Sequence, residues 1–220
     1  MEACADGVRR AIASSDMPAE VIVVDDGSQD ATADQAKKHL GKTASFQLVQ
    51  IPHQGKGAAL KAGVAVSKGD YVFLADADWS MPPEQISRFL PPRLDDFGIA
   101  IASRELASSQ RHGEPLARHL LGRAFNQLVR FCILKDIPDS QCGFKCLKGE
   151  VARRLFPLIE TKGWAFDVEL LALAERAGDS IVQQPIDWTY NGDSRVRPWK
   201  DAPQMARDVL RIRRKMRQFS

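Results

Sequence analysis

Two carboxylates lie two residues apart at the end of a short apolar run. Asp76 and Asp78 follow residues 71–75, which have the composition of a buried strand. If that strand continues through both acids, its alternation turns the two side chains to the same side, where they repel each other unless a cation lies between them. Carboxylate oxygens beside a diphosphate suit Mg²⁺ or Mn²⁺. The spacing predicts a divalent metal site, and the alternative is a pair of solvated turn acids.

A second set of polar residues follows the apolar run 21–24. Asp25, Asp26 and Ser28 stand there, around a glycine turn. In open α/β sheets ligands bind beyond the carboxyl ends of the strands, so acids at this place can hold a ribose hydroxyl or a base N–H. The alternative is local, because Ser28 and Asp30 could instead cap the next helix.

A lysine between two glycines precedes another helical segment. Lys56 in HQGKGAAL lacks the spacing of a nucleotide-triphosphate loop and also that of a dinucleotide loop. A lysine at a helix N-terminus can still approach a phosphate. The sequence leaves both interpretations open.

Two further groups could carry chemistry. Asp167 and Glu169 begin an amphipathic helix, where acids complement the helix dipole in any protein, so composition alone favours a structural role. Ser194, Arg195 and Arg197 share a segment between the last predicted strand and the last helix. Arginine forks and a hydroxyl are typical of phosphate recognition, and the alternative is a solvated basic loop.

The elements that must position these residues alternate between apolar runs and amphipathic segments. This alternation predicts an α/β fold with a mostly parallel sheet. We predict strands over 21–24, 46–51, 71–75, 99–102, 143–147 and 181–186. We predict helices over 3–14, 31–40, 57–67, 115–133 and 166–177, and a basic terminal helix from about residue 203.

The longest of these helices carries a conspicuous apolar stripe. Arginines occupy its other side, at Arg118, Arg123 and Arg130. The stripe consists of Leu116, Leu120, Leu121, Phe125, Leu128, Val129 and Cys132. Helical spacing of this kind favours packing against a core, with membrane contact as the alternative.

Length and composition limit the class of protein. The chain has 220 residues, of which 44% are hydrophobic and 27% charged, which excludes disordered, collagen-like and coiled-coil proteins. We predict one domain over residues 1–200 and a basic helical appendage over 201–220. Four cysteines lack paired spacing and lie at no metal-ligand spacing from the histidines, so we expect reduced thiols in a cytoplasmic protein that does not by itself span a membrane.

The net charge of +3 is unevenly distributed. From Arg207 onward the chain has six Lys or Arg residues and one Asp, a net charge of +5. Such an end favours contact with an anionic surface, and the alternative is a solvated helix end. Nucleic acid is excluded as a partner, because the sequence has no basic patch interleaved with aromatic residues and no helix-turn-helix pattern.

Taken together, six segments resemble a known family in order and spacing. They are VIVVDDGSQDAT, GKGAAL, GDYVFLADAD, IAIASRE, DSQCGFKCL and WAFDVELL. The chain resembles the family 2 glycosyltransferases of the GT-A fold, and among them the polyprenyl-phosphate sugar transferases, with greatest similarity to the dolichyl-phosphate β-glucosyltransferase type. The resemblance covers nearly the whole chain.

The resemblance implies a role for each group of site residues. It implies that nucleotide contacts come from Asp25, Asp26, Ser28, Lys56 and Asp76. Asp76 and Asp78 would bind Mg²⁺ or Mn²⁺, and Asp78 and Asp167 would act at the reaction centre. The sugar pocket would include Arg104 and Gln141. The acceptor phosphate would meet Ser194, Arg195 and Arg197.

The implied activity is inverting transfer of a hexose, with glucose favoured, from a nucleotide-diphosphate sugar to a polyprenyl phosphate such as dolichyl or undecaprenyl phosphate. UDP-glucose is the favoured donor and GDP-mannose a possible one. The basic end would hold the enzyme on an anionic membrane surface, at the cytoplasmic face. The alternatives are a family 2 enzyme with another acceptor or a mannose donor, and an inactive nucleotide-sugar binding protein.

Two departures from the family pattern accompany the resemblance. Family members begin with a strand that lies between the strands predicted at 21–24 and 71–75, and the present sequence starts inside the helix that follows it. We therefore expect an N-terminally truncated domain with unpaired strand edges, each unpaired buried group destabilising the fold by about 1–3 kcal/mol. Ser80 also stands where some relatives carry Gln or His.

Overall fold

The computed structural model describes residues 1–43, 45–192 and 198–218. Its helices are α1 (Glu2–Ser15), α2 (Thr32–Leu40), α3 (Lys56–Val66), α4 (Leu116–Cys132), α5 (Gly149–Leu155), α6 (Phe166–Ala177) and α7 (Pro198–Gln218). Its strands are β1 (Val21–Asp26), β2 (Phe46–Ile51), β3 (Tyr71–Leu74), β4 (Ile99–Ser103), β5 (Gln110–His112), β6 (Lys145–Lys148), β7 (Ile181–Pro185) and β8 (Asp187–Thr189). Short 3₁₀ helices cover Pro83–Phe89 and Phe156–Leu158.

The strands form one four-stranded sheet and two two-stranded sheets. The larger sheet has the order β3-β6-β4-β7, in which β6 runs antiparallel to both of its neighbours and β4 runs parallel to β7. The pairs β1–β2 and β5–β8 are parallel. The predicted α/β class with mostly parallel pairing is confirmed.

Within the described part of the chain, β1 and β3 are among six strands that have an edge without a strand partner. There β1 pairs with β2, and β3 pairs with β6, so each of these strands has a second edge without a strand partner. The expectation of an N-terminally truncated domain stays a prediction. All six residues of β1 pair in register with β2, from Val21 with Phe46 to Asp26 with Ile51.

Several element boundaries differ from the prediction. Strand β3 ends at Leu74, and residues 77 and 78 lie in a turn, so the condition that a strand continues through Asp76 and Asp78 is not met. Helix α7 begins at Pro198, five residues before the predicted start near Pro203, and Pro203 lies inside it. The sequence also gave no indication of α5, β5 or β8, because three to seven residues are too few to establish a hydrophobic period.

Helix α6 forms the centre of the larger hydrophobic core. It is buried from Phe166 to Ala174 and packs against β7 and helices α3, α5 and α7. Helix α7 contributes Val209, Ile212 and Met216 to the same core. The basic end of the chain is therefore packed along one side and charged along the other.

A second core lies beneath the loop that follows β3. Its aromatic rings meet edge to face, with centroids 4.5 Å apart for Phe73 and Phe144 and 5.5 Å apart for Phe89 and Phe144. Such aromatic pairs add stability beyond the area they bury, which gives this loop a rigid floor.

Helix α4 divides its apolar residues between two sides. Val129 is buried, and Phe125, Leu128 and Cys132 pack against the main core. The predicted core stripe is wrong in the first turns of the helix, where Leu116 and Leu120 face outward.

Candidate active site

Three chain segments that carry predicted site residues open at one edge of the larger sheet. Lys145, the first residue of β6, pairs in register with Leu74 near the end of β3 and with Ile101 of β4. Because β6 is antiparallel to both strands, its beginning lies beside their ends. The loops after β3 and β4 and the segment before β6 therefore lie next to one another.

Asp76 lies directly over the backbone of Gly143. A Cβ atom built on this glycine would stand 2.1 Å from Oδ2 of Asp76, so any larger residue would displace the carboxylate. Oδ1 of Asp76 lies 2.6 Å from Nζ of Lys56. The predicted Lys56 and Asp76 thus meet, and glycine at position 143 permits that geometry.

Lys56 lies between two acids and two aromatic rings. Its ammonium group lies 5.9 Å from the ring centroid of Trp164 and 5.9 Å from that of Phe166. Burial lowers the pKa of Lys56, but Asp76 and Asp167 outweigh this effect, and the net result is a raised pKa. Lys56 therefore stays charged at neutral pH at the edge where a diphosphate would bring negative charge.

Asp167 forms a second, deeper ion pair. Its Oδ1 lies 2.6 Å from Nζ of Lys145, and both side chains are buried. The ammonium group of Lys145 also donates a hydrogen bond to the carbonyl of Cys142. Burial raises the pKa of Asp167, although Lys145 and Lys56 oppose that rise. Asp76, Lys56, Asp167 and Lys145 thus alternate in charge from the surface inward, and we call these four side chains the charge chain.

The loop after β1 is held by its own acids. Asp25 is buried and accepts hydrogen bonds from the backbone N–H of Ser28 at 2.9 Å and from Nε2 of Gln50 at 3.2 Å. Hydrogen bonds from Ser28 lower the pKa of Asp25, which burial would otherwise raise. Asp25 is therefore internally saturated and acts here as an organiser of the turn.

Asp26 fixes the start of α3. Its carboxylate accepts hydrogen bonds from the backbone N–H groups of Gln54 and Gly55, both at 2.8 Å. Gly55 has a φ of 110°, and a Cβ there would meet the carbonyl oxygen of Lys162 at 2.8 Å. Glycine adopts this positive φ without strain. The turn at Gly55 therefore places the next residue, Lys56, beside Asp76.

Glu169 secures the neighbouring loop from below. Its buried carboxylate accepts hydrogen bonds from the backbone N–H groups of Glu160 and Thr161, and lies 2.7 Å from Nζ of Lys215. A Cβ on Gly57 would meet the carbonyl oxygen of Thr161 at 2.4 Å. From the sequence, Glu169 could be explained by the helix dipole. In the structure its hydrogen bonds also fix residues 160 and 161, which lie beside the start of α3.

Asp78 lies in an exposed turn whose shape depends on several neighbours. Its Oδ1 accepts a hydrogen bond from the backbone N–H of Ser80 at 3.0 Å, and its carbonyl accepts one from Nδ2 of Asn191 at 3.0 Å. Trp79, with a φ of 47°, donates its indole N–H to the carbonyl of Cys4 in α1. The turn carries Asp78 at the surface and is anchored on both sides.

Arg104 forms a bidentate ion pair with Asp139. Its backbone N–H and its Nε donate to Oδ2 at 2.9 and 2.7 Å, and Nη2 donates to Oδ1 at 2.8 Å. Burial opposes the charge of Asp139, but the guanidinium group outweighs it and lowers the pKa of Asp139 to about 2. The other face of the guanidinium group lies 5.4 Å from the ring centroid of Trp188. Arg104 thus joins the loop after β4 to Asp139 and Trp188 in the wall of the site.

Gln141 is the predicted pocket residue with spare hydrogen-bonding capacity. Its Nε2 is buried and, within the described part of the chain, has no hydrogen-bond partner. A buried donor without a partner destabilises the free protein, so a ligand oxygen at this position would be favoured. Ser194, Arg195 and Arg197 lie outside the described residues.

Sequence reasoning did not assign three residues that organise the site. Asp139, Gly143 and Lys145 belong to the segment DSQCGFK, for which the resemblance implies a role at Gln141. A signal for Lys145 was available, because a single cation between Phe144 and Cys146 in a short buried strand requires a partner.

The sequence profile described as Glycosyl transferase family 2 matches residues 2–156. The chain belongs to this family. It is 34% identical to dolichyl-phosphate β-glucosyltransferase from Dictyostelium discoideum, over 88% of this chain and 62% of the relative. The enzyme of the same name from Mus musculus is 36% identical, over 88% of this chain and 63% of the relative. The chain thus spans less than two thirds of the length of these family 2 relatives.

Solved structures show which fold the chain has. Glucosyl-3-phosphoglycerate synthase from Mycobacterium tuberculosis in complex with UDP has a TM-score of 0.67 at 22% identity, over 98% of this chain and 76% of that one. Its complex with Mn²⁺, UDP and phosphoglyceric acid also has a TM-score of 0.67, at 20% identity, over 98% and 74% of the two chains. The predicted GT-A fold is confirmed. None of the helices in the described residues is long and apolar enough to cross a membrane.

Proposed function

We propose that this family 2 glycosyltransferase moves glucose from UDP-glucose to dolichyl phosphate or a similar polyprenyl phosphate, with inversion at the anomeric carbon. The observation that carries this proposal is the 34–37% identity to dolichyl-phosphate β-glucosyltransferases of several organisms, over 88% of this chain. The charge chain supports it, because it combines a surface carboxylate with a fixed cation where a sugar diphosphate would lie.

The nucleotide would bind at the edge formed by the loop after β1. Asp25 and Asp26 shape this loop, and the backbone and side chain of Ser28 lie at its turn. Lys56, raised in pKa and set at the N-terminus of α3, would meet the diphosphate. Opposite charges within a few ångströms attract most strongly where solvent is partly excluded.

Asp76 and Asp78 would hold a divalent metal ion. Both are carboxylates in the loop after β3, Asp78 is exposed, and Oδ2 of Asp76 is aimed over Gly143 while only Oδ1 meets Lys56. This donor set fits Mg²⁺ or Mn²⁺, which accept a few carboxylates together with waters and substrate phosphates. Bound there, such an ion supplies Lewis-acid stabilisation of the charge on the departing diphosphate.

The chain's own groups would do the rest. One oxygen of the acceptor phosphate forms a bond to the anomeric carbon as the bond from that carbon to the diphosphate breaks. Because a phosphate monoester has its second pKa near about 6, the acceptor is already ionised at neutral pH and needs no strong base. Asp167 would therefore orient Lys56 and the sugar, held in place by Lys145.

Ser194, Arg195 and Arg197 would bind the acceptor phosphate. Two anionic substrates must approach each other, and arginine forks reduce their repulsion while fixing the angle of attack. Gln141 would offer its unpaired N–H to the sugar, and Arg104 would keep the pocket wall in place. Residues 1–200 would carry the catalytic groups. The basic segment 201–220, whose helix also packs on the main core, would help to hold the enzyme at the cytoplasmic face of a membrane.

The test is transfer of radiolabelled glucose from UDP-glucose to dolichyl phosphate in the presence of Mn²⁺ or Mg²⁺. We expect a lipid-linked product, and a loss of at least about 100-fold in rate for Asp78→Ala, as for other groups that stabilise developing charge. Asp34→Ala, an exposed acid of α2, is the matched control and should retain activity. Absence of lipid-linked product with the wild-type protein would contradict the proposal.

A second candidate is transfer to a soluble phosphorylated acceptor. It is favoured by the fold similarity to glucosyl-3-phosphoglycerate synthase at a TM-score of 0.67. Offering phosphoglyceric acid beside dolichyl phosphate, and GDP-mannose beside UDP-glucose, separates these possibilities. UDP binding without any turnover would instead identify an inactive nucleotide-sugar binding protein.

A further inference from the structure

Helix α4 has an outward face that combines large apolar side chains with cations. Leu116, Leu120 and Phe131 are 72%, 57% and 82% exposed. Leu120 lies four residues after Leu116, and Phe131 lies eleven residues after Leu120. With 3.6 residues per turn, these separations place all three on one side of the helix. Ala124 and Gln127 lie between them and are also exposed. We call this set of residues the α4 face.

The α4 face is free of negative charge. No Asp or Glu occurs from residue 115 to residue 135, whereas Arg123, Arg130 and Lys135 lie in this stretch. A solvated helix of this length ordinarily mixes both signs, and an ordinary core helix does not expose a phenylalanine almost completely. The combination is typical of a helix that lies on an anionic bilayer.

A shallow depression of about 290 Å³ adjoins Phe131 and extends the cationic surface. Helix α7 supplies Arg213 and Arg217 to its lining, and the segment after α4 supplies Lys135. Apolar side chains of Ile133 and Met216 also line it, and no residue of the lining is acidic. The outward face of α4 and the basic side of α7 therefore form one surface.

We infer that the α4 face, together with Lys135, Arg213 and Arg217, docks on the surface of an anionic lipid bilayer. Leucine and phenylalanine side chains enter the boundary of the acyl chains, while the cations remain at the level of the headgroups. A second copy of this chain fits the surface poorly, since a symmetric contact would bring the same cations together. Charge complementarity favours the bilayer.

The orientation that results suits a lipid acceptor. The helix is about 25 Å long. Arg118 in its first turn lies with its guanidinium carbon 5.2 Å from the ring centroid of Tyr190. Tyr190 precedes the segment that contains Ser194, Arg195 and Arg197. If α4 lies along the bilayer, its first turn brings Tyr190 near the membrane. That consequence rests on the proposed function, whereas the docking surface rests on α4 and α7.

The experiment is sedimentation of the full chain with vesicles, without donor or acceptor substrate. One set contains phosphatidylcholine alone, and the other contains phosphatidylcholine and phosphatidylserine in equal parts. We expect binding to the second set and release at high salt, which screens surface charges. Phe131→Ser should reduce the partition coefficient at least about tenfold, and Arg130→Gln about fivefold.

A matched control separates binding by this surface from nonspecific binding of exposed apolar side chains to lipid. Leu158 is also an exposed large apolar residue, and its carbonyl accepts a hydrogen bond from Lys215, a residue of α7 outside the lining of the depression. Leu158→Ser should therefore bind vesicles like the wild type. Unchanged binding of Phe131→Ser, or equal loss in Leu158→Ser, would overturn the inference. If the wild-type protein binds the vesicles but transfers no glucose, the proposed function is contradicted and this inference stands.

Discussion

Two charged clusters lie at the same edge of the sheet and differ in how completely their charges are paired. Arg104 and Asp139 face each other with three hydrogen bonds, and the pKa of Asp139 is lowered to about 2. In the charge chain, Asp167 has a raised pKa although Lys145 lies 2.6 Å away. A saturated pair fixes structure, whereas an unsaturated series of charges retains capacity for a ligand.

The difference follows from the geometry of the cations. The guanidinium group of Arg104 matches both carboxylate oxygens of Asp139, so little unsatisfied capacity remains. An ammonium group is a single point charge, and Lys56 and Lys145 each share it between a carboxylate and another contact. We therefore expect perturbation of the first cluster to affect stability and perturbation of the second to affect activity.

The largest effect should come from breaking the saturated pair. Asp139→Ala leaves the guanidinium group of Arg104 without its partner in the protein interior, which should lower the free energy of unfolding by about 3–5 kcal/mol. Chemical denaturation followed by circular dichroism measures this change. Asp34→Ala serves as the exposed control, and a loss below about 1 kcal/mol for Asp139→Ala would remove the distinction between the clusters.

The second effect should fall on catalysis. Asp167→Asn keeps the shape of a buried side chain whose charged form burial disfavours, and it keeps an oxygen that can accept a hydrogen bond from Lys145. Unfolding should therefore change less than in Asp139→Ala. The rate of the proposed glucose transfer should fall about 100-fold, because Lys56 would lose one of the two carboxylates that act on its charge. Steady-state rates beside thermal unfolding test both parts. A loss of stability as large as that of Asp139→Ala would sink the contrast.

The two clusters should also respond to pH with opposite sign. The folded pKa of Asp139 is about 2 against an ordinary value of 3.8, so its stabilisation is present above about pH 4 and is lost as the pH falls towards 2. The advantage of wild type over Asp139→Asn should shrink by about 2 kcal/mol across that range. The pKa of Asp167 is raised, so its ionisation lowers stability as the pH rises through that value. Unfolding curves measured at several pH values for wild type and both asparagine variants give the two slopes, and slopes of equal sign would contradict the comparison.

The sequence predicted the elements of this site better than its contacts. The apolar runs before Asp25 and Asp76 correctly predicted the strands β1 and β3. In β1, however, residues 21–24 are only partly buried. Asp139 and Lys145 escaped prediction because their partners, Arg104 and Asp167, lie 35 and 22 positions away in the sequence. Periodicity reports which face a residue occupies, and it carries no information on which distant side chain meets it.

Helix α4 illustrates the same limit on a larger scale. Its apolar spacing correctly predicted a helix, and the burial of Val129 followed from it. The exposure of Leu120 did not, because a stripe of leucines has the same period whether a core or a bilayer covers it. Only the three-dimensional position of α6 and α7 decides which part of α4 the protein itself covers.

We expect the smallest effect from a substitution at Gly143, whose backbone lies in close contact with Asp76. Gly143→Ala places a Cβ atom 2.1 Å from Oδ2 of Asp76, so the carboxylate must move away from its place beside Lys56. Because Asp76 lies partly at the surface, its side chain can rotate, and unfolding should change by less than about 1 kcal/mol while the affinity for Mn²⁺ with UDP falls.

Gly122→Ala is the matched control for that substitution. Gly122 lies in the interior of α4 with open space around its Cβ position, so alanine there should stabilise the protein by about 0.5–1 kcal/mol and leave UDP binding unchanged. Calorimetric titration of UDP with and without Mn²⁺ compares the two variants. Equal affinity in Gly143→Ala and Gly122→Ala would show that the position of Asp76 does not matter, and the charge chain would then lose its outermost member as a functional group.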